Sequence, residues 1–205
     1  MAQKKKSVAK KKSSSDGLLA YPEKINSRVA TGTGNLKLQV RFITTADAKE
    51  IKELPPYFKA DAGNTAFLSS GITVGLGALD KLDAELFADT VAAALAKAAT
   101  QLKEYEIVAS QAVYEKVGFR TALRLLAVAQ NNAEYPTDFL KGADARKSIA
   151  VTSTAVVVPK AFLPAANEIY ASALIEARHV AAMRQTQALP GNYLTPQTMD
   201  RRSQE

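Results

Sequence analysis

The sequence predicts an α/β fold: a mixed, largely parallel sheet flanked by helices and followed by a long C-terminal helix. Three observations carry this expectation. Ser148 to Val158 is a β-branched run that suits a buried strand. Leu82, Leu86, Phe87, Val91, Leu95, Ala98 and Leu102 recur at three-to-four spacing between two strand-like stretches, the strand–helix–strand order of a parallel crossover. Pro164 to Ala188 carries Ile169, Ala173, Val180 and Met183 at near-helical intervals, with alanines that permit close packing.

The first ordered elements are expected at Lys24 to Ala30 and Leu36 to Ile43. Thr31-Gly32-Thr33-Gly34-Asn35 between them has the glycines a tight reversal needs, so a hairpin is expected. Ala46 to Leu54 is expected as a short helix stopped by Pro55-Pro56, since proline lacks an amide proton and restricts the residue before it. Thr65 to Val74 reads as a strand ending at Gly75-Leu76-Gly77. Asp80 or Asp83 is placed to cap the helix that follows. Glu106 to Val113 reads as the next strand and Val117 to Gln130 as a second helix, closed by Asn131-Asn132. A loop with Pro136 and Gly142 leads to the strand at 148–158, which Pro159 ends.

A chain of 205 residues, 47% hydrophobic, is long enough for one sizeable core. No run reaches the roughly 18 apolar residues a membrane span needs, and the N-terminus has no apolar signal region, so a cytoplasmic protein without membrane contact is expected. Cysteine is absent and His179 is the one histidine, which excludes disulfides, thiolate zinc sites and multi-histidine clusters within a subunit. Of the formal charge of +7, six units sit on Lys4, Lys5, Lys6, Lys10, Lys11 and Lys12, so the remainder is nearly neutral. Residues 1–16 therefore read as a disordered Lys/Ser-rich tail with too little apolar surface to offset the entropy of ordering. Those six lysines are candidates for contact with nucleic acid or another anionic partner, including a nuclear address.

Several motifs invite a site and are outweighed by simpler readings. Gly75-Leu76-Gly77 follows a strand, as a dinucleotide-binding turn would, but Asp80 occupies the third glycine position and would repel a phosphate. A plain β-to-α turn is expected. Thr31 to Asn35 could cradle an anion through its amides; a ligand-free turn is expected. His179, beside Arg178, has no carboxylate or nucleophile placed to orient it and reads as a surface or interdomain residue. Asp80, Asp83, Glu85 and Asp89, with Asp138 and Asp144, offer oxygens to a hard cation. Helical spacing instead lines them up toward water. No catalytic, cofactor-binding or metal-ligating residue is assigned.

The most specific segment follows the last helix: Arg184-Gln185-Thr186-Gln187-Ala188-Leu189-Pro190-Gly191-Asn192-Tyr193-Leu194-Thr195-Pro196. It resembles the run Arg-Asp-Leu-x-Asn-x-Pro-x-Asn-x-x-Thr-Pro with which leucyl (cytosol) aminopeptidases pass from an interdomain helix into their catalytic domain. Arg184, Pro190, Gly191, Asn192, Thr195 and Pro196 carry the match, while Gln185 and Ala188 depart from the family's Asp and Asn. Val74-Gly75-Leu76-Gly77 before an acidic helix start is also similar to the family's N-terminal domain.

The resemblance implies a macro-domain-like N-terminal domain over 17–160, an interdomain helix over 161–190 and the start of a missing catalytic domain over 191–205. In that family two divalent ions, zinc or manganese, polarise the peptide carbonyl and activate water. The family's metal ligands and its Asn-Thr-Asp-Ala-Glu-Gly-Arg signature lie beyond the matched segment and do not occur here. The chain is accordingly expected to be an inactive assembly or regulatory portion of such an enzyme, self-associating or packed on a catalytic domain. A basic-tailed nucleic-acid-binding or protein-interaction module is the rival expectation. A macro-like ligand-binding domain is a third, by fold analogy alone.

Overall fold

The computed structural model describes residues 26–33, 36–134 and 151–188. Six strands form one sheet: β1 (Asn26–Thr31), β2 (Gln39–Ile43), β3 (Thr65–Leu68), β4 (Gly71–Gly75), β5 (Glu104–Ala109) and β6 (Ser153–Val158), in the order β1-β6-β5-β2-β4-β3. Every pairing is parallel except β3 with β4. Among the described residues four α-helices flank it: α1 (Ala84–Ala99), α2 (Gln111–Val117), α3 (Phe119–Glu134) and the long α4 (Leu163–Ala188). The chain thus has the α/β architecture expected of it, a largely parallel mixed sheet with flanking helices and a long last helix.

The sheet's apolar layer is read off the strand alternation. Val40 and Phe42 on β2, Ile72 and Val74 on β4, Tyr105 and Ile107 on β5, and Val156 and Val158 on β6 share one face and are nearly inaccessible. Phe42 meets Phe87 of α1 edge-on at 6.4 Å between ring centres. Helix α3 packs between α1 and α4. The connections β4–α1–β5 and β5–α3–β6 step the same way across the sheet, so crossovers of one hand bring both helices to this face.

Several local expectations are corrected. The segments at 24–30 and 36–43 do not form a hairpin; β6 and β5 lie between β1 and β2. A glycine-rich link permits reversal without enforcing it, and β2 takes parallel neighbours β4 and β5 instead. The helix expected at Ala46–Leu54 shrinks to one 3-10 turn, Asp47–Lys49. There the Asp47 carboxylate accepts from the Thr44 amide and hydroxyl, both at 2.9 Å, a local arrangement that competes with helix continuation. The single strand at 65–74 is a hairpin, β3–β4, turned at Ser69-Ser70 before Gly71.

Further along, the strand expected to reach Val113 ends at Ala109, and Ser110 opens α2. The helix expected at 117–130 is α3, which runs on past Asn131-Asn132 to Glu134 and is separated from the unforeseen α2 by Gly118, whose φ of +88° no helix accommodates. Strand β6, Ser153–Val158, lies within the stretch expected at 148–158, of which 148–150 fall outside the described residues. Asp83 caps α1 as anticipated, its carboxylate accepting from the Leu86 amide at 2.8 Å, whereas Asp80 falls in a separate 3-10 turn, Leu79–Lys81.

Candidate functional site

Those residues singled out in the sequence that fall among the described residues do not converge. Lys4, Lys5, Lys6, Lys10, Lys11 and Lys12 lie outside the described residues, as do Pro190, Gly191, Asn192, Thr195 and Pro196, and Asp138 and Asp144. Arg184 and His179 are exposed on α4. Asp83, Glu85 and Asp89 point outward at and along α1. Among the described residues, no three acidic, histidine or cysteine side chains come together in a way that could hold a metal ion.

The Gly75-Leu76-Gly77 turn is fully committed to the protein's own backbone. Gly75 N donates to Asn64 O at 2.8 Å, Leu76 N to Ile43 O at 2.8 Å and Gly77 N to Ala60 O at 2.7 Å. No amide is left to approach a pyrophosphate, which agrees with the plain-turn reading. A Cβ at Gly75 would sit 2.5 Å from the Ala60 carbonyl carbon, so the glycine is required by the loop crossing it. Of the Thr31 to Asn35 turn, Gly34 and Asn35 lie outside the described residues.

Open α/β sheets bind ligands where neighbouring strands send their connections in opposite directions. That point here lies between β2, which leads toward β4, and β5, which leads toward β6. Ser110 stands at the end of β5 with its hydroxyl buried and without a hydrogen-bond partner. Next to it, the buried Tyr114 hydroxyl donates to the Val157 carbonyl at 3.0 Å. Desolvation pushes the ionisation of Tyr114 well above the ordinary tyrosine value. Tyr114 also meets Phe119, whose ring stacks on Phe162 at 4.4 Å.

The densest polar constellation was not foreseen from the sequence. It lies where β1, β5, β6, α3 and α4 meet. The Tyr170 hydroxyl donates to Gln130 Oε1 at 2.7 Å, Gln130 Nε2 donates to Thr154 Oγ1, Thr154 Oγ1 donates to Ser27 Oγ at 3.2 Å, and Ser27 Oγ donates to Glu134 Oε2 at 3.4 Å. Gln130 and Thr154 are wholly inaccessible and Glu134 is 8% exposed. Glu134 Oε1 and the Tyr105 hydroxyl are buried without a hydrogen-bond partner. Burial pushes the Glu134 carboxyl up to about 7, against the smaller opposing effect of the neighbouring Thr154, Gln130 and Ser27 side chains. Tyr105 and Tyr170 are pushed up too, by burial first and by the nearby Glu134 second. Helical spacing alone places Gln130 and Glu134 on one face of α3; a glutamine and a glutamate four residues apart on an otherwise apolar face was the available signal.

The fold defines the class: an α/β domain with a mostly parallel six-stranded sheet flanked by helices. No family model matches the sequence, and no curated protein matches it. Among solved structures, the chain is similar in fold to the bottromycin maturation enzyme BotP in complex with Mn. That alignment has a TM-score of 0.59 and 17% identity, covering 82% of this chain and 35% of that one. A second structure of the bottromycin maturation enzyme BotP aligns with a TM-score of 0.57 at the same identity, covering 82% of this chain and 36% of that one. The chain therefore spans about a third of the length of these neighbours.

Proposed function

We propose that this chain is the N-terminal, non-catalytic portion of a metal-dependent exopeptidase of the leucyl aminopeptidase type, serving assembly or regulation. The observation that carries the reading is the shared fold over 82% of this chain against 35% of an enzyme solved with manganese, the proportion expected of one domain within a larger metalloenzyme. The Arg184 and Pro190 to Pro196 motif supports the same reading. A cytoplasmic location accords with it, and among the described residues no helix is long and apolar enough to cross a membrane. On this reading two divalent ions and the peptide substrate belong to a catalytic domain that the present residues only support.

The test is direct. The purified chain, given Leu-p-nitroanilide with Mn²⁺ or Zn²⁺, should show no turnover above buffer, and sedimentation velocity should show self-association. Metal-dependent turnover would overturn the non-catalytic assignment. A strictly monomeric species would overturn the assembly role.

A second reading is favoured by the concentration of charge at Lys4 to Lys12, which leaves the rest of the chain nearly neutral. On that reading the tail binds nucleic acid, and affinity falls steeply with salt as counterions are released. Deleting residues 1–12 should abolish such binding. Binding that survives the deletion would refer it to the folded body.

A further inference from the structure

The polar chain around Glu134 runs in one direction. Each hydroxyl or amide donates toward the next member, from Tyr170 on α4 through Gln130 on α3, Thr154 on β6 and Ser27 on β1, and ends on the carboxyl of Glu134. β1 is an edge strand whose one neighbour in the sheet is β6, and the far end of the chain is a helix that packs on α3. The cluster therefore ties the two outermost elements of this half of the domain to α3 through one terminal acceptor. That acceptor receives the Ser27 hydroxyl on Oε2, while its Oε1 is buried without a hydrogen-bond partner. A buried carboxylate requires several donors to offset its lost hydration, whereas a neutral carboxyl requires far fewer.

The groups facing Glu134 are Ser27 from β1, Tyr105 from β5, Thr154 from β6 and Tyr170 from α4, with Gln130 on its own helix. Only the two tyrosines among them titrate, and both are neutral hydroxyls at neutral pH. Arg28, beside Ser27 on β1, projects to the opposite face of the sheet. Among the described residues, no lysine or arginine forms an ion pair with Glu134.

We propose that this cluster is a proton-operated latch: the neutral Glu134 carboxyl holds β1 and α4 against α3, and its ionisation loosens both. The arrangement makes the loosening local. β3 and β4 lie at the other end of the sheet, and neither they nor α1 contributes a member to the chain. The upward displacement of the Glu134 ionisation puts the transition near neutrality.

Hydrogen exchange resolved by segment tests the latch on the intact chain. Corrected for intrinsic rate, protection in β1 and α4 should fall about tenfold between roughly pH 6 and roughly pH 8.5, while α1 and β4 stay level. Glu134→Gln should abolish the fall. An equal fall in Glu134→Gln, or no fall in the wild type, overturns the proposal. Should that variant not fold, a carboxyl-carbon NMR titration of wild-type Glu134 decides: a midpoint near neutrality supports the latch, and one in the ordinary carboxylate range overturns it.

Discussion

Gly71 enters β4 pressed against the backbone of Gln39 on β2. A Cβ at position 71 would stand 2.7 Å from the Gln39 amide nitrogen and closer still to its carbonyl oxygen. Both obstacles are main chain, which cannot move aside as a flexible side chain does. The φ of +130° adds a conformation that side chains avoid. Gly71→Ala should cost about 2–4 kcal/mol, seen as a lower urea midpoint at unchanged slope. Gly63 also has a positive φ, +84°, but open space around it, so Gly63→Ala reports a conformational cost without a clash, about 1 kcal/mol.

Global stability should also respond to pH through Glu134. The carboxyl is raised from an ordinary 4.5 to about 7 in the folded chain. Between those values the folded state holds a proton that the unfolded state has released. Its contribution is complete below the lower value, declines as pH rises toward the upper one, and is level above it. The full span corresponds to about 3 kcal/mol. Chemical denaturation across this range should show the wild type losing stability while Glu134→Gln loses much less, and parallel curves would refute the assignment.

Alkaline titration offers an independent check on the core. Of seven tyrosines, Tyr105, Tyr114 and Tyr170 are pushed above their ordinary ionisation, with burial the largest cause in each. A raised tyrosine contributes stability that is intact below about pH 10 and declines above it. Tyrosinate absorbance should therefore rise in two steps, the second coinciding with loss of circular dichroism. A single smooth step before unfolding would contradict the burial of these hydroxyls.

The start of α1 depends on one carboxylate. Asp83 accepts from the Leu86 amide, and its backbone is extended, as a cap requires. Asp83→Ala should cost about 1 kcal/mol and Asp83→Asn much less, both measured by thermal or denaturant unfolding. Equal losses would point to the charge beside the helix end, which only Asp supplies.

Where a segment's fate depended on its own residues, the sequence was legible. The spacing from Leu82 to Ala98 gave α1, Asp83 gave its cap, and the β-branched run gave β6. Where the outcome depended on distant partners it was not. Nothing local distinguishes a Thr31–Asn35 reversal that pairs its flanks from one that sends them to opposite halves of a sheet. Gly71 opens a new strand inside what reads as one continuous apolar stretch, because the backbone of Gln39 on β2 crowds it there. The Glu134 cluster was hidden for the same reason: its members come from five elements, and only Gln130 and Glu134 are neighbours on one helix. The lysines and the Pro190 to Pro196 motif, the most legible features of all, fall outside the described residues.

Ser27 and Thr154, hydrogen-bonded across the β1–β6 pair, are separated by 127 positions in the chain. A ribosome working at about 5–20 residues per second needs on the order of ten seconds to bridge that gap. Throughout that interval β1, the first of the described strands to be made, lacks β6, the last of them and its neighbour in the sheet. Nascent molecules thus present an unsatisfied edge early and complete the sheet late, so chaperone demand should concentrate on the N-terminal half during translation.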